Sequence, residues 1–262
     1  MTQNIGVNGT TLAYRFDGPE DAPVVMLSNS LMSNHTMWDL QIEALIRNYR
    51  VLRYDTRGHG KSATPDGRYT METLGEDAAM LMARLGLGQV HFCGLSMGGM
   101  IGQYLGANHG GKLKSLTLCD TACVMPQASL WDERIIQARA GGTGAATQAT
   151  LERWFTEAFR EAGDPVIDKV ATMIDTTPVE GFAGCAAAIR DMDQTEVLAL
   201  IKTPTLVVVG RHDPGTPVSA AKVLYENIEG SELAIIEGAA HLCNMEQPAA
   251  FNEALLGFLG RH

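Results

Sequence analysis

The apolar residues in the first half of the chain fall into short continuous runs, separated by longer stretches in which they recur at helical spacing. The short runs predict buried β-strands, and the helical spacing predicts amphipathic helices between them. The predicted strands are Ile5–Val7, Thr11–Phe16, Pro23–Ser28, Arg50–Tyr54, Val90–Cys93 and Leu113–Cys119. The predicted helices are Trp38–Arg47, Met71–Leu85 and Met97–Asn108. Alternating strands and helices are typical of a mostly parallel sheet that is covered on both faces.

The pattern changes in the middle of the chain and later returns. From Thr121 to Thr195 the sequence predicts helices and no buried strand. Alternation resumes with the strands Thr205–Val209 and Glu232–Ile236 and with the helices Val218–Asn227 and Pro248–Leu259. We therefore expect an α/β fold in a single domain, in which residues 1–120 and 196–262 form a core around a mostly parallel eight-stranded sheet. Residues 121–195 are expected to form a helical lid inserted in that core.

A glycine-rich segment lies between the predicted strand that ends at Cys93 and the helix that follows it. It reads Gly-Leu-Ser-Met-Gly-Gly, with the serine at position 96. A sharp turn between a strand and a helix that exposes a serine hydroxyl is the setting of a nucleophile elbow. Gly94 and Gly98 fit this setting, because the turn brings backbone segments too close together for side chains. An inert serine in a glycine-rich turn is the weaker alternative.

A serine hydroxyl needs a base, and seven histidines compete for that role. His241 follows the last predicted strand, and Asp213 follows the strand before it, so both belong to the edge where reactive residues collect. The order Ser96, Asp213, His241 is the one an α/β-hydrolase requires, and we predict these three as the catalytic residues. Alone, His241 is equally consistent with a surface loop, and Asp213 with a turn cap. His212 is poorly placed to be oriented by its own neighbour, and His59 is interpreted as part of a braced loop.

Ester or lactone hydrolysis also needs two backbone N–H groups that bind the oxyanion of the tetrahedral intermediate. The residue after the nucleophile normally supplies one of them, which predicts Met97. The loop after the strand Pro23–Ser28 normally supplies the other, and we place that donor at Leu31.

Several stretches of the chain resemble the α/β-hydrolase superfamily and, within it, the 3-oxoadipate enol-lactonases. They include LSNSLMSNHTMWDLQ, RVLRYDTRGHGKS, HFCGLSMGGMIGQYLG and AAHLCNMEQP. The resemblance implies an α/β-hydrolase fold with a helical lid, no cofactor, and hydrolysis of a small enol-lactone in bacterial aromatic degradation. It assigns the Ser-His-Asp triad to the same three residues. The family reads S-N-S-L-G where this chain has Met32, so we expect Met32 to narrow or reshape the acyl pocket.

A lactone that carries a carboxylate needs a guanidinium or a cluster of donors to bind it. The predicted lid contains five arginines: Arg134, Arg139, Arg153, Arg160 and Arg190. Arg134 shares a helix face with Trp131, and Arg190 stands out in an apolar helix. We predict Met32, Trp131, Arg134, Trp154 and Arg190 as substrate-binding residues. The alternatives are a solvated lid surface for the arginines and core packing for the tryptophans.

Net charge and composition limit the partners of the chain. Twenty basic and 30 acidic residues give a net charge of −10, which argues against binding to nucleic acid. No run of about 20 apolar residues predicts a membrane helix, and no targeting segment is recognisable, so we expect a cytoplasmic protein without a membrane partner. No spacing typical of metal ligands occurs, and we expect neither a metal nor a cofactor. The expected partner is a small-molecule ester or lactone, and a homo-oligomer stays possible.

Three functions remain open from the sequence. The first is opening of 3-oxoadipate enol-lactone to 3-oxoadipate. The second is a carboxylesterase or lactonase of different specificity on the same fold, which Met32 favours. The third is a binding protein on a hydrolase scaffold, which the complete Ser-Asp-His set disfavours. Covalent catalysis through Ser96 and direct attack by water are not distinguished by the sequence.

Overall fold

The computed structural model describes residues 1–125 and 127–262, and within them eight strands form one sheet. The strands are β1 Gln3–Val7, β2 Thr10–Asp17, β3 Val24–Ser28, β4 Arg50–Tyr54, β5 Val90–Leu95, β6 Leu113–Cys119, β7 Thr205–Gly210 and β8 Glu232–Ile236. Their order across the sheet is β1-β2-β4-β3-β5-β6-β7-β8. β2 runs antiparallel to both β1 and β4, and the pairings from β4 to β8 are parallel. The predicted mostly parallel eight-stranded sheet is confirmed.

Helices connect the parallel strands. The core helices are α1 Asp39–Leu45, α2 Met71–Arg84, α3 Met97–Asn108, α9 Val218–Asn227, α10 Cys243–Glu246 and α11 Pro248–Leu259. α3 packs on β5 and β6, α2 contacts both α3 and β1, and α1 packs against α11. The helix predicted from Trp38 begins instead as a 3-10 turn at His35–Trp38 and continues as α1 from Asp39. α10 is too short to leave a periodic pattern in the sequence.

The described part of the chain between β6 and β7 is mainly helical. It holds α4 Ala128–Gly141, α5 Thr147–Trp154, α6 Glu157–Glu161, α7 Val166–Asp175 and α8 Val179–Asp191. A single β-bridge between Val124 and Asp193 joins the two ends of this region. We refer to residues 121–195 as the helical segment.

Parallel strands bring the loops that follow them to one edge of the sheet. The carboxyl ends of β3, β5, β7 and β8 carry Leu31, Ser96, Asp213 and His241 respectively. All five cysteines are buried free thiols. None of the helices in the described part of the chain is long and apolar enough to cross a membrane.

Candidate active site

Ser96 lies in a strained turn between the end of β5 and the start of α3. Its backbone has φ 56° and ψ −114°, in the left-handed half of conformational space that residues other than glycine rarely adopt. Two hydrogen bonds hold the turn in place. The Ser96 amide donates to the carbonyl of Cys119 (2.8 Å), and the Thr121 hydroxyl donates to the carbonyl of Ser96 (2.8 Å). The surrounding structure therefore fixes the direction of the serine side chain.

Two glycines make this turn sterically possible. A Cβ atom at Gly94 would lie 2.1 Å from the carbonyl oxygen of Gly98. A Cβ atom at Gly98 would lie 2.2 Å from the carbonyl oxygen of Ser28. Both distances are far below van der Waals contact with backbone atoms that cannot move aside, so the prediction for Gly94 and Gly98 is confirmed.

His241 and Asp213 form a buried hydrogen-bonded pair. His241 Nδ1 lies 2.7 Å from Asp213 Oδ2. Asp213 also accepts hydrogen bonds from the amides of Gly215 (2.8 Å) and Thr216 (3.1 Å) and from the Thr216 hydroxyl (2.6 Å). Burial by itself would raise the pKa of Asp213, but the charge and hydrogen bond of His241 and the bonds from Thr216 lower it below the ordinary value. Asp213 is thus an anion that fixes the ring of His241.

The pKa of His241 is raised above its ordinary value. Burial lowers this pKa, but the charge and hydrogen bond of Asp213 raise it by more than burial lowers it. The charge of Asp120 raises it further. With Nδ1–H donating to Asp213, Nε2 is the nitrogen left to accept a proton. This arrangement suits a general base that becomes an imidazolium during the reaction.

Ser96, Asp213 and His241 line a single cavity of about 100 Å³, which we call the Ser96 cavity. The structure therefore brings the three predicted catalytic residues together. Among the described residues, the hydrogen bonds of His241 go to Asp213 and Thr216, and none joins its ring to Ser96 Oγ. Catalytic hydrogen bonds of this kind commonly tighten only when substrate binds.

The predicted oxyanion donors lie beside the nucleophile. Met97 is the first residue of α3, where the amide has no partner inside the helix. Leu31 lines the Ser96 cavity. The next residue, Met32, has φ 58° and donates its amide to Nε2 of the buried His59 (3.0 Å). Burial lowers the pKa of His59 to about 4, so this ring stays neutral and accepts that bond, in agreement with its interpretation as part of a braced loop.

Two arginines of the helical segment line the Ser96 cavity. The guanidinium carbon of Arg134 lies 4.8 Å from the centre of the Trp131 ring, and Arg153 Nη2 donates to Thr150 Oγ1 (3.1 Å). Burial and the charge of Arg153 lower the pKa of Arg134 to about 10. Within residues 1–125 and 127–262, neither guanidinium is paired with a carboxylate. The sequence places Arg153 among five arginines of the segment and gives no reason to prefer it, although its neighbour Trp154 is a predicted site residue.

Trp131 and Trp154 also line the Ser96 cavity, as does Met32. The ring of Trp154 lies 5.9 Å from that of His241, with the two planes tilted by 31°. The two tryptophans and Met32 therefore have the position expected of substrate-binding residues.

Arg190 is a correction to the predicted set. Its guanidinium pairs with Asp191 (2.6 Å) and with Asp132, and it does not line the Ser96 cavity. The apolar helix α8 presents Ile189 to the cavity instead. Arg190 stands out in the sequence because its hydrophobic neighbours are buried, but its own charge is satisfied at the surface by acidic residues nearby.

Two buried carboxylates near His241 escape the sequence analysis. Asp120, directly after β6, accepts from the Gly210 amide (2.8 Å) and from the Cys243 thiol (2.8 Å), and burial raises its pKa well above the ordinary value. Glu246 Oε2 accepts from the Ala240 amide (2.8 Å), and its Oε1 accepts from the amide of Thr156 (3.0 Å). Asp120 carries a detectable signal, because an acidic residue at the carboxyl end of a strand is a candidate for this edge. Glu246 carries none.

Comparison with known proteins identifies the family of the chain. The family model for the alpha/beta hydrolase fold matches residues 23–248. The chain belongs to the α/β-hydrolase family. It is 35% identical to 3-oxoadipate enol-lactonase 1 of Acinetobacter baylyi, over 96% of this chain and 94% of that protein. It is 37% identical to 3-oxoadipate enol-lactonase 2 of the same organism, over 95% and 93% respectively.

A solved structure agrees with these relatives. The crystal structure of the enol-lactonase from Burkholderia xenovorans LB400 matches with a TM-score of 0.96 and 38% identity, over 98% of this chain and all of that one. The α/β-hydrolase fold and the resemblance to the enol-lactonases are therefore confirmed. The coarse activity follows with them: the chain is a hydrolase of the α/β family.

Proposed function

We propose that the chain is a serine hydrolase that opens a small carboxylate-bearing enol-lactone, converting 3-oxoadipate enol-lactone to 3-oxoadipate. This proposal rests on the residues that line the Ser96 cavity. That cavity holds a serine on a strained turn, a His–Asp pair and two guanidiniums without a carboxylate partner among the described residues. The names of the three relatives compared above support the same substrate class.

The catalytic step uses Ser96, His241 and Asp213. His241 Nε2 takes the hydroxyl proton as Ser96 Oγ attacks the lactone carbonyl, and the Asp213 carboxylate stabilises the resulting imidazolium. The amides of Leu31 and Met97 bind the oxyanion. Collapse of the tetrahedral intermediate breaks the ring C–O bond and frees the enolate oxygen, which takes the proton from His241 while the opened chain stays bound to Ser96 as the acyl-enzyme. His241 then activates a water molecule that hydrolyses the acyl-enzyme, and the enol acid that leaves tautomerises to 3-oxoadipate.

The substrate carboxylate pairs with Arg134 and Arg153 in this proposal. Two like charges held close together in a poorly solvated site are unfavourable until an anion joins them. The burial and mutual repulsion that lower the pKa of Arg134 express this cost. A carboxylate offers two oxygens to two guanidiniums, and it would orient the lactone carbonyl towards Ser96.

The helical segment, residues 121–195, acts as the lid of the site. It contributes Trp131, Arg134, Arg153, Trp154 and Ile189 to the Ser96 cavity, whereas the core contributes the reacting groups. In this proposal the core supplies the reacting groups and Met32, and the lid supplies most of the remaining side chains that recognise the substrate.

Steady-state hydrolysis of 3-oxoadipate enol-lactone, measured beside p-nitrophenyl acetate, tests the proposal. We expect a kcat/KM for the lactone far above that for the neutral ester, and loss of both activities in Ser96→Ala. Ser219→Ala, an exposed serine on α9, is the matched control and should match the wild type. A preference for the neutral ester would favour the carboxylesterase alternative, and hydrolysis that survives in Ser96→Ala would overturn the mechanism.

A further inference from the structure

A second cavity adjoins the Ser96 cavity. Its volume is about 390 Å³, against about 100 Å³ for the Ser96 cavity. Three residues line both: Met32, Arg134 and Arg153. Arg134 and Arg153 therefore lie on the wall that the two cavities share.

The rest of the second cavity is mainly apolar. Four alanines and a phenylalanine form much of its lining: Ala138, Ala140, Ala145, Ala146 and Phe182. Its two threonines use their hydroxyl groups within the protein, since Thr143 donates to the carbonyl of Thr177 (2.9 Å) and Thr150 accepts from Arg153. The cavity thus combines two arginines with a lining of small apolar residues and Phe182, to which the exposed Gln137 adds one polar side chain.

Met32 is a residue of the core that lines both cavities. Its φ of 58° is a conformation that glycine adopts more easily than methionine. The side chain nevertheless occupies this position, so an occupant of either cavity would contact it.

We propose that the second cavity is a binding site for the aliphatic chain of a medium-chain carboxylate, whose head group is held by Arg134 and Arg153. The apolar lining takes the chain, and the guanidiniums take the carboxylate. Because the same arginines face the Ser96 cavity, such an acid excludes the carboxylate of a small lactone and acts as its competitive inhibitor. Binding of the acid itself does not depend on hydrolysis, whereas the inhibition rests on the proposed function, in which the same arginines hold the lactone carboxylate.

Calorimetric titration of the wild-type protein with acetate, octanoate and octan-1-ol tests the proposal. We expect octanoate to bind at least about tenfold more tightly than acetate, because six further methylene groups leave water. Octanoate should also bind more tightly than octan-1-ol, which lacks the charge that the arginines recognise. Equal affinities for octanoate and acetate, or for octanoate and the alcohol, would overturn the proposal, as would failure of octanoate to bind.

Substitutions that fill the second cavity test whether the aliphatic chain of octanoate binds there. Ala146→Phe and, as a second variant, Ala145→Phe should reduce the preference for octanoate over acetate to about threefold or less. Ala149→Phe is the matched control, since this exposed alanine of α5 lines neither cavity. If both filling variants keep the wild-type preference for octanoate over acetate, the aliphatic chain binds elsewhere and the proposal is wrong. If lactone hydrolysis fails but octanoate binds as expected, the proposed reaction is wrong and the cavity assignment stands.

Discussion

The carboxyl edge of the sheet and the helical segment meet at one cavity, but they differ in whether their buried charged groups have partners within the protein. At the sheet edge, Asp213 has His241 and three further donors around its carboxylate. On the helical side, Arg134 and Arg153 face the cavity with no carboxylate partner in the described chain. The carboxylate in the first region is fully hydrogen-bonded without a ligand, whereas the proposed function assigns an anionic ligand to the second.

The largest expected effect comes from the sheet edge. His241→Ala should lower kcat by roughly 10⁴-fold or more, because the general base of such a triad acts together with the nucleophile. Initial rates of lactone hydrolysis measure this directly. His212→Ala is the control, because His212 is exposed and does not line the Ser96 cavity, and it should lose little activity. Loss of activity in the His212 variant instead would remove His241 from the role of base.

The next effect comes from the helical side and should appear in KM. Arg134→Met and Arg153→Met should each raise KM for the anionic lactone by about 10- to 100-fold, since one charge-assisted hydrogen bond contributes about 1.5–3 kcal/mol. The turnover number should change much less. Arg139→Met is the matched control, because this exposed arginine pairs with Glu180 away from the cavity. The same rise in KM for a neutral ester would mean that the substitutions damage the pocket rather than remove an anion site.

The dependence of activity on pH reports the His–Asp pair itself. His241 must be neutral to accept the serine proton, and its pKa lies above the ordinary value of 6.5. Activity should therefore be lost as pH falls through that raised pKa. At pH 5.5 we expect kcat/KM to be lower than its plateau by roughly tenfold or more. An acid limb of the pH profile with a midpoint below 6.5 would contradict the ion pair seen in the structure.

The smallest expected effect is a change in thermal stability on substitution of Arg134, a residue of the helical segment. Burial and Arg153 disfavour the charged form of Arg134 in the folded state, and at neutral pH this form costs folding energy. Arg134→Met should therefore stabilise the unliganded protein by about 1 kcal/mol, or roughly 2–4 °C in Tm. Thermal unfolding without added anions measures the shift. Arg139→Met should show no gain, and a Tm for Arg134→Met at or below that of this control would refute the cost.

Much of the sheet and its edge could be predicted because local patterns determine them. The strand Val90–Cys93, the glycines around Ser96 and the residues that follow β7 and β8 each carry their own signal in a short stretch of sequence. The order of these stretches then places Ser96, Asp213 and His241 at one edge through the parallel pairing of strands. The fold and the family follow from the same signals.

The side-chain contacts of the helical segment could not be predicted in the same way, because many of them join residues that are distant in sequence. Arg153 and Arg190 both lie on helices of the segment, but Arg190 pairs with Asp132 and Asp191 and does not line the cavity. Asp132, which pairs with Arg190, is 58 residues away. Glu246 is likewise linked to Thr156 over 90 residues. Helical periodicity says which face is buried but not which cavity a long polar side chain reaches.

The link between Glu246 and Thr156 has a consequence for how this protein could be recombined with its relatives. Glu246 binds the amide just before His241 with one oxygen and the residue after Phe155 with the other. The Leu242 amide adds a second link, to the carbonyl of Trp154 (3.1 Å). Because the helical segment contributes backbone groups to these two links, a segment transplanted from another α/β-hydrolase keeps the support of the His241 loop only if its backbone follows the same path at the end of α5. The acidic side chain at position 246 must stay in the recipient core, since it supplies the other half of the first link.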